Sequence, residues 1–246
     1  MVPSAASAER FQYRFRPGQV LEFRANMAGA AMLGQTGGEM MKMQFRSGIR
    51  QTQRVRSVSG GVVTLDVTDT TLSGKMMVGG KTESLSAPPS RFVVRLTERG
   101  KFLGRQDAGP ASEAGTGIEG ADITFGLNFP ARDLKPGDTW QDTFEVGVGE
   151  EKRTVHGTWK YVAREKFRGR DCARITTVLK MSTLPPAAPS GDEIPGPVER
   201  GGMSVRLTTY FDPKEGVEVY SSGSIILTSR LDLSALGPEA GELANV

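Results

Sequence analysis

The sequence predicts an all-β protein, two tandem, duplicated antiparallel curved sheets or half-barrels with little helix. Three observations carry this. Apolar residues recur at every second position in most segments, helical spacing is nearly absent, and one phrase is written twice. Near the start the chain reads YRFRPGQVLEF (Tyr13 to Phe23), and in the middle ARDLKPGDTWQDTF (Ala131 to Phe144). Each joins a basic-Pro-Gly-polar turn to an alternating apolar run. Pro favours the second position of such a turn and Gly the third, where φ is positive, so both copies announce a turn entering a strand.

The elements follow in chain order. In the first half the alternating positions are Leu21, Phe23, Ala25 and Met27, then Met41, Met43, Phe45 and Ile49, then Val63, Leu65 and Val67, then Phe92, Val94 and Leu96. In the second half they are Trp140, Phe144 and Val146, then Val155, Trp159 and Tyr161, then Ile175, Leu179 and Met181. The last set is Val217, Val219, Ile225, Leu227 and Leu231. Neighbouring side chains of a strand point to opposite faces, so this pattern describes antiparallel sheets with one buried face. The runs through residues 41–58 and 217–233 exceed the usual strand of about 3 to 10 residues, which predicts bending or a bulge, with Gly48 and Gly223 as candidates.

Other landmarks repeat in the same order. Pro17-Gly18 and Pro136-Gly137 are 119 apart, Gly60 and Gly169 are 109 apart, and Arg95 and Arg206, in VVRLT and SVRLT, are 111 apart. Self-similarity of this kind marks a repeated unit. Gly18 to Gly60 spans 42 positions against 32 from Gly137 to Gly169, so the first copy carries extra residues there. The Gly-rich stretch 28–40 is read as an enlarged loop. The predicted organisation is a flexible N-terminal segment (1–10), a first β repeat (11–105), a connector (106–126), a second β repeat (127–233) and a C-terminal tail (234–246).

The run LNFPARDLKPGDTWQDTF (Leu127 to Phe144) resembles the LP-x-x-P-V-K-x-GD-S-W segment of exported bacterial β-proteins of the DUF6263 type. The first half of that family opens with a K-x-G-Q-x-Y strand similar to Phe15 to Phe23 here. The resemblance implies export and a duplicated β-fold, and it implies no reaction. At the level of fold, curved sheets of this kind are also similar to lipoprotein-carrier half-barrels.

Composition narrows the function classes. The net charge of +3 is spread along the chain without a clustered basic tract, which argues against nucleic acid as a partner. No apolar stretch approaches the ~20 residues that span a bilayer as a helix, so no membrane-spanning helix is expected. Ala6-Ser7-Ala8 has the small-residue pattern of an export-signal cleavage site, which predicts a periplasmic or extracellular protein with the signal removed. One cysteine, Cys172, rules out an internal disulfide.

Chemistry-bearing clusters are sparse. The single His156 lies on a polar-parity position with no nucleophile elbow in the chain, and one His with one Cys makes no thiolate-imidazole metal site, so no catalytic residue, metal or cofactor is assigned. Asp142 shares the inward parity of Trp140 and Phe144, placing it in the core or at a strand end. Lys42, Arg46, Arg50, Arg54 and Arg56 form a basic row, read as the solvated outer face of a sheet. Methionines crowd the first hairpin. Their soft, adaptable side chains suit an irregular apolar surface. The expected function is therefore non-enzymatic binding of a lipid-like or other apolar molecule, with Phe23, Met27, Met32, Leu33, Met41, Met43 and Phe45 as the ligand-binding set and residues 28–40 as a lid. The alternative is a structural or interaction module of the bacterial envelope with a fully packed interior and a protein partner.

Overall fold

The computed structural model describes residues 8–34, 40–78, 80–84, 86, 88–107, 126–146, 153–182 and 198–232. Among them the regular structure is entirely strand. One sheet contains β1 (Val20–Gly34), β2 (Met40–Ser59), β3 (Val62–Val78), β5 (Ser90–Thr97) and β6 (Phe102–Asp107) in that order, with the short β4 (Lys81–Ser84) added to β3. The other contains β7 (Thr139–Val146), β8 (Arg153–Phe167), β9 (Arg170–Ser182), β10 (Val198–Asp212) and β11 (Val217–Asp232), again neighbour to neighbour. All pairings are antiparallel, as expected when short turns join successive strands. β1 runs close alongside β11, yet no ladder joins the two sheets among the described residues, and they do not close into a barrel.

The repeated phrase folds the same way twice. Gln19 N–H donates to the Arg16 carbonyl at 2.9 Å, and Asp138 N–H to the Lys135 carbonyl at 3.0 Å. Gly18 and Gly137, at φ 81° and 98°, donate to the carbonyls of Val55 and Tyr161. Val55 and Tyr161 donate in return to the carbonyls of Gln19 and Asp138. Each turn is closed by its fourth residue, Gln19 Oε1 accepting from Arg16 N–H and Asp138 Oδ2 from Lys135 N–H. A β-bulge then follows Val55 and Tyr161 in the same place. The next turns use paired positive φ, Gly60-Gly61 (58°, 74°) in one sheet and Arg168-Gly169 (49°, 76°) in the other. Two successive left-handed residues make the hairpin turn whose twist matches the strands.

Three sequence expectations change. Arg95 and Arg206 lie on corresponding strands, β5 and β10, but not at corresponding positions. Leu65 pairs with both Val55 and Val94, whereas Ile175 pairs with both Tyr161 and Thr209, so Val94 matches Thr209 and the VRLT echo is slid by four residues. A slide by an even number keeps every side chain on its own face, so the echo survives in the pattern without marking position. Of residues 28–40, 28–34 and 40 are strand, laddered from Ala28↔Arg46 to Gly34↔Met40, so they form a projecting ribbon and not a loop; residues 35–39 lie outside the described set. Gly223 is regularly paired with Leu207, and the bulge in β11 sits at Val219, where Tyr210↔Tyr220 gives way to Phe211↔Glu218. A second irregularity falls where the sequence expected one, beside Gly48, with Leu72 as the extra residue on the facing strand.

The inner faces carry the core. Val55, Val63, Leu65, Val67, Phe92, Val94 and Leu96 form one buried cluster on the first sheet. A larger cluster on the second includes Trp140, Phe144, Trp159, Tyr161, Ile175, Leu179 and Phe211. Phe15 and Phe102 touch both. The two segments leading into the Pro-Gly turns fill the end between the sheets. They pair with each other at Glu9↔Leu134, and Phe11 packs against Tyr161 and Phe129 at ring distances of 5.2 and 5.5 Å. Tyr13 N–H donates to Glu98 O in the first sheet's last turn, and Arg14 N–H to Gly216 O in the second's. Phe129 N–H donates to Arg99 O. The leads thus stitch both sheets together at one end. Residues 11–15, assigned by sequence to the first repeat, place Phe11 and Tyr13 in the second sheet's cluster.

Candidate functional site

Of the seven residues expected to bind an apolar ligand, all lie on the β1–β2 ribbon. The ladder places Phe23 opposite Gln51, Met27 opposite Ser47, Met32 opposite Lys42, Leu33 opposite Met41, Ala31 opposite Met43 and Gly29 opposite Phe45. Paired positions share a face, so Met32 alone of the seven falls on the opposite parity. The side chains of Met27, Met32, Leu33, Met41 and Met43 lie outside the described residues. Phe23 is half-buried. Phe45 is 4 % exposed although it belongs to neither core cluster, and its β3 neighbour Met76, with Val78 two positions on, is half-buried. Ten residues of strand, about 33 Å, separate it from Val55 in the core. Between them the inward parity carries Ser47 and half-buried Ile49 and turns polar at Gln51 and Gln53, with Gln53 buried and its Nε2 donating to Gln51 Oε1 at 2.6 Å.

On the second sheet, Trp140 and Trp159 are ladder partners whose rings stack at 6.3 Å and 10°. Trp159 leans over Gly157, where a Cβ would collide with its ring, so the glycine is what lets the indole lie flat on the sheet. Trp140 Nε1–H donates to Asn128 O at 2.6 Å. Trp159 Nε1–H has no partner although the residue is 1 % exposed, and its other ladder neighbour Thr177, 3 % exposed, has an unpartnered hydroxyl. A water-sized crevice lies between the sheets here, lined by Val94, Leu96, Gly100 and Phe102 on one side, Phe144 and Trp159 on the other, and Gly126 and Asn128 toward the stitched end.

At the stitched end, Tyr13 Oη–H donates to Glu218 Oε1, and Leu127 N–H reaches both Tyr13 Oη (2.8 Å) and Glu218 Oε1 (3.0 Å). Burial pushes the Glu218 carboxyl above the usual carboxylate range, against the lowering effect of the Tyr13 and Leu127 hydrogen bonds. Burial, then the adjoining Glu218 charge, raises the Tyr13 phenol well above its ordinary value. Gly126 is required beside them, because a side chain there would strike Tyr13 Oη and Glu218 Oε1. Sequence parity had put Val217 and Val219 inward. The bulge at Val219 instead turns Glu218 onto the inner face, and a one-residue bulge leaves no mark in an alternation that resumes after it.

The remaining singled-out groups are engaged locally. Asp142 is half-buried at the seam, accepting from Asn128 Nδ2 at 2.7 Å and lying 3.7 Å from Lys101 Nζ. His156 is exposed, with Nδ1 3.3 Å from Thr143 Oγ1. Cys172 is buried, and burial pushes its thiol up, away from the thiolate that nucleophilic or ligand chemistry needs. Arg46, Arg50, Arg54 and Arg56 are exposed, and Arg56 pairs with Asp66 across the ladder to β3. Among the described residues no three His, Cys, Asp or Glu side chains gather as a metal site would require, and no helix is long and apolar enough to cross a membrane. No family model, no curated protein and no solved structure matches the chain.

Proposed function

We infer that this is a non-enzymatic, exported binding protein that holds a lipid-like or other apolar molecule between its sheets, on the ribbon side away from the stitched end. The observation that carries the reading is Phe45. A large aromatic buried eight strand residues, about 26 Å along β2, from the core pairing at Gln53↔Val67, with half-buried Met76 and Val78 beside it and the polar side chains of Gln51 and Gln53 in between, supports a second apolar region on the ribbon. On the facing sheet, Val155, Met181, Met203 and Val205 carry the second sheet's core cluster beyond Trp159 toward the ribbon side. Export rests on Ala6-Ser7-Ala8 and on the resemblance of the Leu127 to Phe144 segment to exported β-proteins.

N-phenyl-1-naphthylamine, whose emission rises in apolar surroundings, tests this directly. Saturable uptake by the full chain that drops on Phe45→Ser, with the variant still giving a cooperative tryptophan unfolding transition, supports the reading. No uptake by the native protein overturns it. A second reading, a structural or interaction module of the cell envelope, draws on Leu72 (48 % exposed) and Met77 (39 % exposed) near the far end of β3 and on Ile226 (52 % exposed) on β11. Exposed apolar groups of this kind mark contact surfaces when they cluster. Native mass spectrometry separates the two, a co-purified small mass favouring the first and a protein partner the second.

A further inference from the structure

We propose that the outer face of the β1–β2 ribbon, with the adjoining end of β3, docks onto an anionic lipid surface. Its cations meet headgroup phosphates and its exposed apolar side chains enter the interface. The inference goes beyond the binding function and uses the side of the ribbon opposite Phe45. The ladders put Arg24 directly across from Arg50, and Arg46 directly across from Lys75, all four outward and exposed. Like charges at opposed positions, with Cβ atoms about 5 Å apart, destabilise a sheet. Cations spread for solubility alone would avoid such pairs, as the second sheet's outer face does at Lys160, between Thr139 and Thr176, and at Arg206, between Val178 and Ser224. No acid offsets the repulsion. From the Arg24↔Arg50 row to the end of β4 the described outward positions hold no carboxylate, Asp69 and Glu83 falling on the inner parity. The nearest outward carboxylates, Glu22 and Asp66, lie one and two rows further along, and Asp66 is taken by Arg56. Among the described residues none of the four cations makes an ion pair.

The apolar side chains on the same face decide the kind of anion. Leu72, the extra residue of the irregularity beside Gly48, follows inward Thr71 and stands exposed on the outer side. Met77, at the next outward position after Lys75, is exposed as well. Each thus adjoins a cation pair. The two pairs are four residues of β2 apart, about 13 Å, so both meet one surface. A soluble polyanion satisfies the cations but leaves Leu72 and Met77 in water. A bilayer surface takes both, with phosphates at the charges and the boundary between headgroups and acyl chains at the apolar groups.

Sedimentation of the full chain with unilamellar vesicles tests this, one set of phosphatidylcholine alone and one an equal mixture of phosphatidylcholine and phosphatidylglycerol. The expected result is binding to the mixed vesicles in clear preference to the neutral ones, weakening as salt is raised. Arg50→Gln and Lys75→Gln should each weaken it about fivefold, the worth of one cation at an anionic surface. Both variants should fold normally, because each relieves a like-charge pair. Leu72→Ser combined with Met77→Ser should weaken binding without changing its salt dependence, and Lys160→Gln, on the other sheet, should bind as the native protein does. Phe45→Ser should also dock normally, so docking and naphthylamine uptake are read separately. No preference for the mixed vesicles, or an equal loss on Lys160→Gln, overturns the docking face. Preference for the mixed vesicles that survives loss of both Leu72 and Met77 overturns the lipid surface and assigns the cations to a soluble polyanion.

Discussion

Trp159 and Glu218 show how much one side chain can decide here. Trp159 is enclosed by Trp140, Gly157 and the facing sheet, so Trp159→Ala leaves a cavity that the rigid sheet cannot collapse to fill. A loss of about 3 to 5 kcal/mol is expected from the shift in urea midpoint. Glu218 acts with the opposite sign. Its folded-state pKa lies above its unfolded one, so the stability linked to it is fully present below the unfolded value and is lost as pH rises through the folded value. As pH rises above the ordinary glutamate range the native protein should therefore lose stability with a slope that Glu218→Gln removes, since the amide oxygen still accepts from Tyr13 and Leu127 without a buried charge. Urea midpoints of the two proteins across that range check this, and parallel curves would show that Glu218 is not the group responsible. Both residues lie on the inner face, but sequence parity placed only Trp159 there.

At the scale of elements, the Pro-Gly turn is the unit that recurs most faithfully. Gly18 and Gly137 share positive φ, the same backbone partners, and open space where a Cβ would go, so a substitution at either is felt through the backbone alone. Gly18→Ala and Gly137→Ala should each cost about 1 to 2 kcal/mol, and by similar amounts. A large difference between them in denaturant titrations would mean that the two turns carry unequal loads. The second hairpin turn shows the contrasting case. Arg168 holds a left-handed φ where the first sheet uses Gly60, and its guanidinium lies over Phe167 and Tyr220 at 5.3 and 4.9 Å. Arg168→Gly relieves the backbone and removes the cation–π contacts, two effects of about 1 kcal/mol each, so its midpoint should stay close to native.

For the molecule as a whole, the stitched end makes the two sheets one cooperative body. Phe11 stands in the second sheet's cluster, while the same lead segment hydrogen-bonds the turns of both sheets through Tyr13 and Arg14. Phe11→Ala should cost about 3 to 5 kcal/mol and lower both sheets together. Tryptophan fluorescence, which reports the second sheet, and far-ultraviolet circular dichroism, which reports all strands, should give one coincident transition in the native protein and in the variant. Separate transitions would show that the leads do not couple the sheets.

The sequence alone determined the class of fold, because an alternation of period two, sustained over many segments and cut by Pro-Gly and paired-Gly turns, has one physical solution in antiparallel sheets with a buried face. It also determined that the Pro-Gly phrase recurs and which residues of β3, β5, β8 and β9 point inward, since strand parity is a local property. Register is not local. The slide of four between the VRLT echoes, the bulge that turns Glu218 inward, and the conversion of residues 28–34 from loop to ribbon are set by what each strand finds opposite it. The unpaired donors of Trp159 and Thr177 were equally invisible, because whether a hydrogen-bonding group is satisfied depends on atoms brought near it by the fold and not on its neighbours in the chain.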